Sequence, residues 1–290
     1  MEVKLTAPSN FKRIKQLDSL YVPRIQRLSP LDQVIIDLSK ITFIKPLGVI
    51  GILTLIERLT QLENGMPNIE LICPENKEVI DYLVKIDFIN ALETLCDWDI
   101  PDDIEVIGKK LKPVIPITRF SDANDIEIIA NQMQEIFHTE LMGLSTLLQP
   151  CHVVYSELAI NAVEHANSNG GFVLAQQFEY HDGSRLEISV GDCGIGIHKS
   201  LKQNKIMKGK FKSDREAIMS TLSGGLSRIN DPHRGYGLYW VKEELGDSPN
   251  RSLTLRSGNG YVIIYTGNRP YSAKCKSFPG TIAHVVIPCG

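Results

Sequence analysis

The chain has 290 residues, 43% hydrophobic and 22% charged, with a formal net charge of -3. That composition buries a real core in one or two domains and excludes general nucleic-acid binding through a basic surface. The N-terminal residues lack the apolar run of a signal peptide, and the greasiest stretch, residues 49–56, is too short to cross a bilayer, so a cytoplasmic protein without a membrane segment is expected.

In chain order, residues 2–6 read as a short edge strand. Residues 11–28 are helix-like but carry Pro23, which should kink or break them. Gln33-Val-Ile-Ile-Asp-Leu38 is a continuous apolar run of the buried-strand kind. Residues 48–62 show helical spacing (Leu53, Ile56, Leu59, Leu62) and stop at Asn64-Gly65. Residues 68–73 are a second buried-type strand, and residues 77–92 a third helix with Val79, Tyr82, Leu83 and Ile86 inward. Strands joined by helical crossovers predict an α/β layer with a mostly parallel sheet. Residues 97–120, with an acidic turn-forming run followed by Pro113 and Pro116, read as a break, placing a domain boundary near 115. The six cysteines are scattered without a CxxC pair and read as free thiols.

The run Val34-Ile-Ile-Asp-Leu-Ser-Lys-Ile-Thr-Phe-Ile44 followed by Gly48 resembles the STAS domain of anti-sigma-factor antagonists, over roughly residues 1–95. Where those antagonists carry Asp-Ser-Ser-Gly, with a serine that accepts phosphate, this chain reads Lys45-Pro46-Leu47-Gly48. The resemblance therefore implies a scaffold or partner-docking role for residues 1–115 without a phosphoserine switch.

Beyond the boundary, residues 122–141 read as a long amphipathic helix, and Pro150 introduces another over 151–166. Residues 171–180 and 185–190 form an expected hairpin at Asp182-Gly183. A long polar stretch leads to a helix from about Leu238 to Leu245. Residues 252–256 and 261–266 flank Gly258-Asn259-Gly260, a strong hairpin signal. The chain finishes on a strand over 281–288. The expected architecture of 116–290 is an α+β two-layer sandwich, with helices on one face of a mixed sheet.

Candidate chemistry begins on the helix from Cys151. Glu157 and Asn161 are four apart and share a face, which His165 continues, while Val154, Leu158 and Ala162 form a separate apolar stripe. An oxygen ligand from Asn161 suits Mg2+, which keeps waters and phosphate oxygens as its other ligands. Glu157 suits a group that orients or deprotonates the nucleophile attacking a γ-phosphate. Next come Gly191-Asp192-Cys193-Gly194-Ile195-Gly196, in which Asp192 can accept from adenine's exocyclic amine and Gly194 and Gly196 let backbone approach the ligand. Arg234-Gly235-Tyr236-Gly237-Leu238 leads into a helix, a cradle for phosphate. Gly280-Thr281 offers a hydroxyl at the last strand. Taken singly, each has a plainer reading: a solvated helix face, a tight turn, a glycine-rich loop, a β-forming Thr.

In this order and spacing the segments resemble the N, G1, G2 and terminal G boxes of the GHKL (gyrase, Hsp90, histidine kinase, MutL) ATPase superfamily, over about residues 120–290. The resemblance implies a Bergerat-type ATP-binding fold, ATP and Mg2+ as ligands, Glu157 as the catalytic residue and Asn161 as the metal ligand. It places Asn161, His165, Asp192, Gly194, Gly196, Arg234, Gly235, Gly237 and Thr281 around the nucleotide. Residues 198–234 correspond to the ATP lid and hold six lysines (Lys199, Lys202, Lys205, Lys208, Lys210, Lys212) and Ser223-Gly224-Gly225 as a hinge. No P-loop pattern and no HExxH occurs. With the sequence ending directly after the last strand and one long helix ahead of the ATP segment, the expected likeness is to anti-sigma-factor serine kinases rather than to motors or sensor kinases. His138 then reads as an ordinary helix residue. Two outcomes stay open: ATP consumed by hydrolysis or by transfer to a protein Ser/Thr, or a nucleotide-gated interaction module with negligible turnover. A protein partner or substrate is expected, with an internal or homodimeric contact to the STAS-like part, and neither nucleic acid nor membrane.

Overall fold

The structure, a computed structural model, describes residues 1–95, 114–139, 147–165, 170–226, 235–246, 250–267 and 269–289. Its first half is an all-parallel three-stranded sheet, order β1-β3-β5, from β1 (Glu2–Thr6), β3 (Gln33–Asp37) and β5 (Asn68–Ile72). A small parallel pair joins β2 (Asn10–Phe11) to β4 (Phe43–Ile44). The helix expected over 11–28 is instead two 3-10 segments, Ile14–Leu20 and Ile25–Arg27. Its buried residues Ile14, Leu17 and Leu20 recur every three positions, the spacing at which a 3-10 helix stacks side chains on one side. Pro23, without an N–H, and Arg24 at φ 53° then interrupt the chain. The single helix expected over 77–92 is also divided, into α2 (Lys77–Lys85) and α3 (Phe88–Glu93), by Asp87 at φ 62°.

The second sheet has the order β6-β7-β8-β10-β9, built from β6 (Ile115–Phe120), β7 (Gly171–Tyr180), β8 (Gly183–Asp192), β9 (Ser252–Tyr265) and β10 (Tyr271–Cys289). Its element pairings are antiparallel throughout, which corrects the mixed sheet expected from sequence. β6 lies where a break was expected. Pro116 fits there because β6 is an edge strand and the register slips between Ile115 and Thr118. The hairpin expected at Gly258-Asn259-Gly260 is present within β9. Fourteen extended residues would hold its ends tens of ångströms apart, yet Thr266 N–H donates to Arg251 O at 3.1 Å, so the element doubles back at Gly258 (φ 58°).

α4 (Ala123–Thr139), α5 (Leu148–His165), α7 (Asp214–Thr221) and α8 (Gly237–Leu245) bury their apolar sides on one face of this sheet, against Val173, Ile188, Val190, Leu255 and Val285. The other face is covered as well. α1 (Pro46–Thr60) is buried almost all round, as a helix between two layers must be. One apolar cluster joins its Ile50 and Leu53, and Val34 and Ile36 of the parallel sheet, to Phe172, Leu174 and Ile282 of the second sheet. Fully buried Arg256 on β9 fastens the 3-10 segment to that face, donating to Ile14 O (2.9 Å) and Asp18 Oδ1 (2.7 Å). The helices of residues 116–290 thus lie on one face, as expected, and the other face is covered by residues 46–60 from the first part of the chain. Cys73, Cys151, Cys193, Cys275 and Cys289 carry free thiols. Among the described residues no helix is long and apolar enough to cross a membrane.

Candidate functional site

α5 anchors itself through buried Val154, Leu158 and Ala162, leaving Glu157 and Asn161 half-buried on an adjacent side. Asn161 Nδ2 donates back to Glu157 O at 2.6 Å. That bond turns the amide oxygen, the hard-cation ligand of the pair, away from the helix backbone. Both side chains meet the start of α8: a Cβ placed on Gly237 would sit 2.5 Å from Glu157 Oε2 and 2.9 Å from Asn161 Nδ2. Only glycine admits them there. The N-cap of α8, Tyr236, supplies no side-chain cap, so the first-turn N–H groups remain available to an anion.

Burial, with the charge of Glu164 added, holds the Glu157 carboxyl above its ordinary range. That moves it toward the neutral values at which a carboxylate works as a general base.

The opposite end of the site is set by β8. Leu186, Ile188 and Val190 face inward, and the alternation delivers Asp192 to the same face, 5% exposed. Gly194 N–H donates to Asp192 Oδ1 at 2.8 Å, and the Thr281 backbone also donates to the carboxylate. Burial outweighs both and pushes the carboxyl up to about 7, with the charge of Glu57 contributing. Thr281 is the register partner of Asp192, and its hydroxyl is 3.2 Å from Ser257 Oγ.

One pocket joins the two ends. Asn161, Asp192, Gly196, Gly235, Gly237 and Thr281 all line it, together with apolar Leu158, Val190 and Leu255. The space in which the centre of a water can move is about 80 Å3, and it opens to solvent. Gly196 (φ 79°) starts α6 (Ile197–Lys202), and a Cβ on it would meet Ser257 Oγ at 2.7 Å. Gly194 is outside the lining and acts through its bond to Asp192. Glu157 stands beside the lining through Gly237. Arg234 and the His165 side chain lie outside the described residues.

Sequence reasoning missed three contributors. α6 and α7 fall inside the stretch read as polar loop, and they bring Ser200, Leu201 and Thr221 to the wall. A signal for α7 was present: Ser213 caps it by accepting from Glu216 N–H, while Glu216 reaches back to Lys212 N–H at 2.8 Å. The six lysines, two on α6 and four between α6 and α7, are exposed and none lines the pocket. The third contributor is α1, directly behind the Asp192 loop. A Cβ on Gly191 would sit 2.5 Å from Ile50 Cγ2 and 2.6 Å from Thr54 Oγ1. Cys193 Sγ donates to Gln61 Oε1 at 3.3 Å, and fully buried Glu57 is held by Arg119 at 3.0 Å. Among the described residues no group of three or more His, Cys, Asp or Glu side chains forms a metal site. Neither a protein-family model nor a curated protein sequence matches this chain.

Asp192 gives a stability prediction. With its folded pKa raised from 3.8 to about 7, the ionised form is the disfavoured one. The contribution of this group to stability is thus complete below about pH 4 and lost as pH rises through 7. Asp192→Asn removes that penalty. The stability of Asp192→Asn is expected to equal wild type at pH 4 and to exceed it at pH 8 by on the order of 4 kcal/mol at most, read as a higher melting temperature. A difference that stays flat between pH 4 and 8 in calorimetric melts would contradict the burial of this carboxylate.

Proposed function

We infer that the chain is a Mg-ATP-binding regulatory protein of the GHKL type, similar to the anti-sigma-factor serine kinases, with a STAS-like module in the same chain. The observation that carries this reading is the convergence of Glu157 and Asn161 on the uncapped N-terminus of α8, with Asn161 and Gly237 lining one pocket together with the buried carboxylate of Asp192. Adenine suits the apolar slot, and its exocyclic amine donates to Asp192, an acceptor that guanine's carbonyl at the same place would repel. The triphosphate then runs toward Gly235, Gly237 and the α8 N–H groups. Asn161 Oδ1 would hold Mg2+, which when bound would offset charge on the phosphates. Glu157 takes the proton of water or of a protein hydroxyl as its oxygen bonds to the γ-phosphorus, while the bond from that phosphorus to the β,γ-bridging oxygen breaks and ADP leaves. Its retained carboxylate favours an enzyme, either an ATPase or a protein serine/threonine kinase.

In this reading the STAS-like module is a scaffold, since α1 forms the back of the Asp192 loop. Exposed Ile160, Tyr236 and Trp240 lie on the same two helices as Glu157 and Gly237 and give a protein partner an apolar edge to dock on. Incubation with γ-labelled ATP, Mg2+ and a cell lysate tests the reading. Label appearing as free phosphate or on a protein serine or threonine supports it, and the ratio separates ATPase from kinase. Bound ATP with neither product would favour the nucleotide-gated interaction module.

A further inference from the structure

A second cavity lies on the outer face of the β8-β10-β9 end of the sheet, beneath the 3-10 segment and the start of α1. The space open to the centre of a water is about 580 Å3, far larger than in the nucleotide slot. Its lining carries Lys12, Arg13, Lys15, Lys45 and Arg185 against a single carboxylate, Glu187. Glu187 is already neutralised within the chain, by Lys45 and by the Tyr180 hydroxyl at 3.1 Å. Arg185 pairs with Asp182 at 2.5 Å. The exposed Lys12, Arg13 and Lys15 have no ion-pair partner among the described residues. A concentration of positive charge in a chain of net charge -3 focuses an attractive potential for anions.

The floor of the cavity supplies a second, independent observation. Ser252 and Thr254 of β9 are each 8% exposed and line this space, yet neither hydroxyl hydrogen-bonds to any described residue. Neither hydroxyl is among the atoms sealed inside the protein, so both open onto this space, where an occupant can bond them. Neighbouring His284 is different: its Nδ1 is 2.8 Å from Ser189 Oγ and its Nε2 faces Glu187. Tyr261, Ile263 and Tyr265 form an aromatic and aliphatic wall beside the two free hydroxyls.

We propose that this cleft is a second small-molecule site that binds a phosphorylated metabolite, its phosphate oxygens held by the Ser252 and Thr254 hydroxyls and the Lys12–Arg13–Lys15 cations. The volume falls in the small-molecule range. Because α1 spans from the mouth of this cleft at Lys45 and Leu47 to the back of Gly191, an occupant here touches the element that supports the Asp192 loop.

The probe is inorganic pyrophosphate, titrated by calorimetry into the full chain without Mg2+. Wild type is expected to bind one equivalent. The surface double variant K12E/K15E is expected to bind at least tenfold more weakly, and Thr254→Val, which keeps shape and strand preference, at least fivefold. Asn161→Ala and Asp192→Asn are expected to bind pyrophosphate as wild type does, which separates this site from the nucleotide pocket. No uptake by wild type, uptake unchanged in both cleft variants, or uptake lost in Asn161→Ala would each overturn the assignment.

Discussion

Asn161→Ala is expected to weaken Mg-ATP binding about 100-fold or more while leaving the folded chain intact. The Asn161 Nδ2 group is committed to Glu157 O, so Oδ1 is the atom it presents to a ligand. A hard cation bridging phosphates takes an oxygen ligand, and alanine offers none. An interaction with a charged partner contributes about 1.5–3 kcal/mol, or tenfold to a little over a hundredfold in affinity, and loss of a metal ligand lies at the upper end. Stability is expected to change little. The side chain is half-buried, its printed bond is to its own helix, and alanine is the better helix former. Calorimetric titration with Mg-ATP, paired with thermal melts, checks both halves of the expectation.

Glu157→Gln is expected to do the reverse: ATP affinity within about threefold of wild type, with turnover reduced by about 10^2 to 10^4, the contribution of a positioned general base. The amide keeps the shape beside Gly237 and loses only the proton acceptor. In wild type the sign of the pH effect follows from the environment. Burial and Glu164 raise the carboxyl pKa, and the base must be ionised to act. Turnover should therefore fall on acidification at a pH above the ordinary glutamate range, and this limb should vanish in the residual activity of Glu157→Gln. A pH–rate profile under saturating Mg-ATP reads this directly. An unchanged rate in the variant would remove Glu157 from the chemistry.

Much of the fold was legible because the signals were periodic and long. The buried run at 33–38, the helical spacing at 48–62 and the alternation at 186–190 are realised as β3, α1 and β8, with helix bounds two residues earlier than read. The hairpin at Gly258-Asn259 was legible from turn chemistry alone, since Gly258 adopts the left-handed φ the turn requires. Short elements were not. β6 carries Pro116, and α6 and α7 span only six and eight residues of mostly polar sequence. The 3-10 segment looked helical because three- and four-residue spacings overlap over one turn.

For the site, the Glu157–Asn161 spacing and the glycine at 237 could be read from the sequence, and the structure brings them to one place. What sequence could not supply was the far side of the sheet. Gly191 reads as a strand-end glycine, yet it is bare because Ile50 and Thr54 occupy the place of its side chain from 140 residues away in the chain. Likewise Glu57 looks like a helix-surface residue until Arg119 and the Asp192 loop close over it. These are tertiary constraints between distant segments, and they leave no local period.

The measurement closest to the central claim is a calorimetric titration of wild-type chain with ATP and with GTP in the presence of Mg2+. One ATP per chain, with affinity lost in Asn161→Ala and with GTP bound at least tenfold more weakly, is the predicted result. No ATP uptake, or equal uptake of ATP and GTP, would contradict the assignment of Asp192 as the group that reads adenine and of Glu157 and Asn161 as the group facing its phosphates.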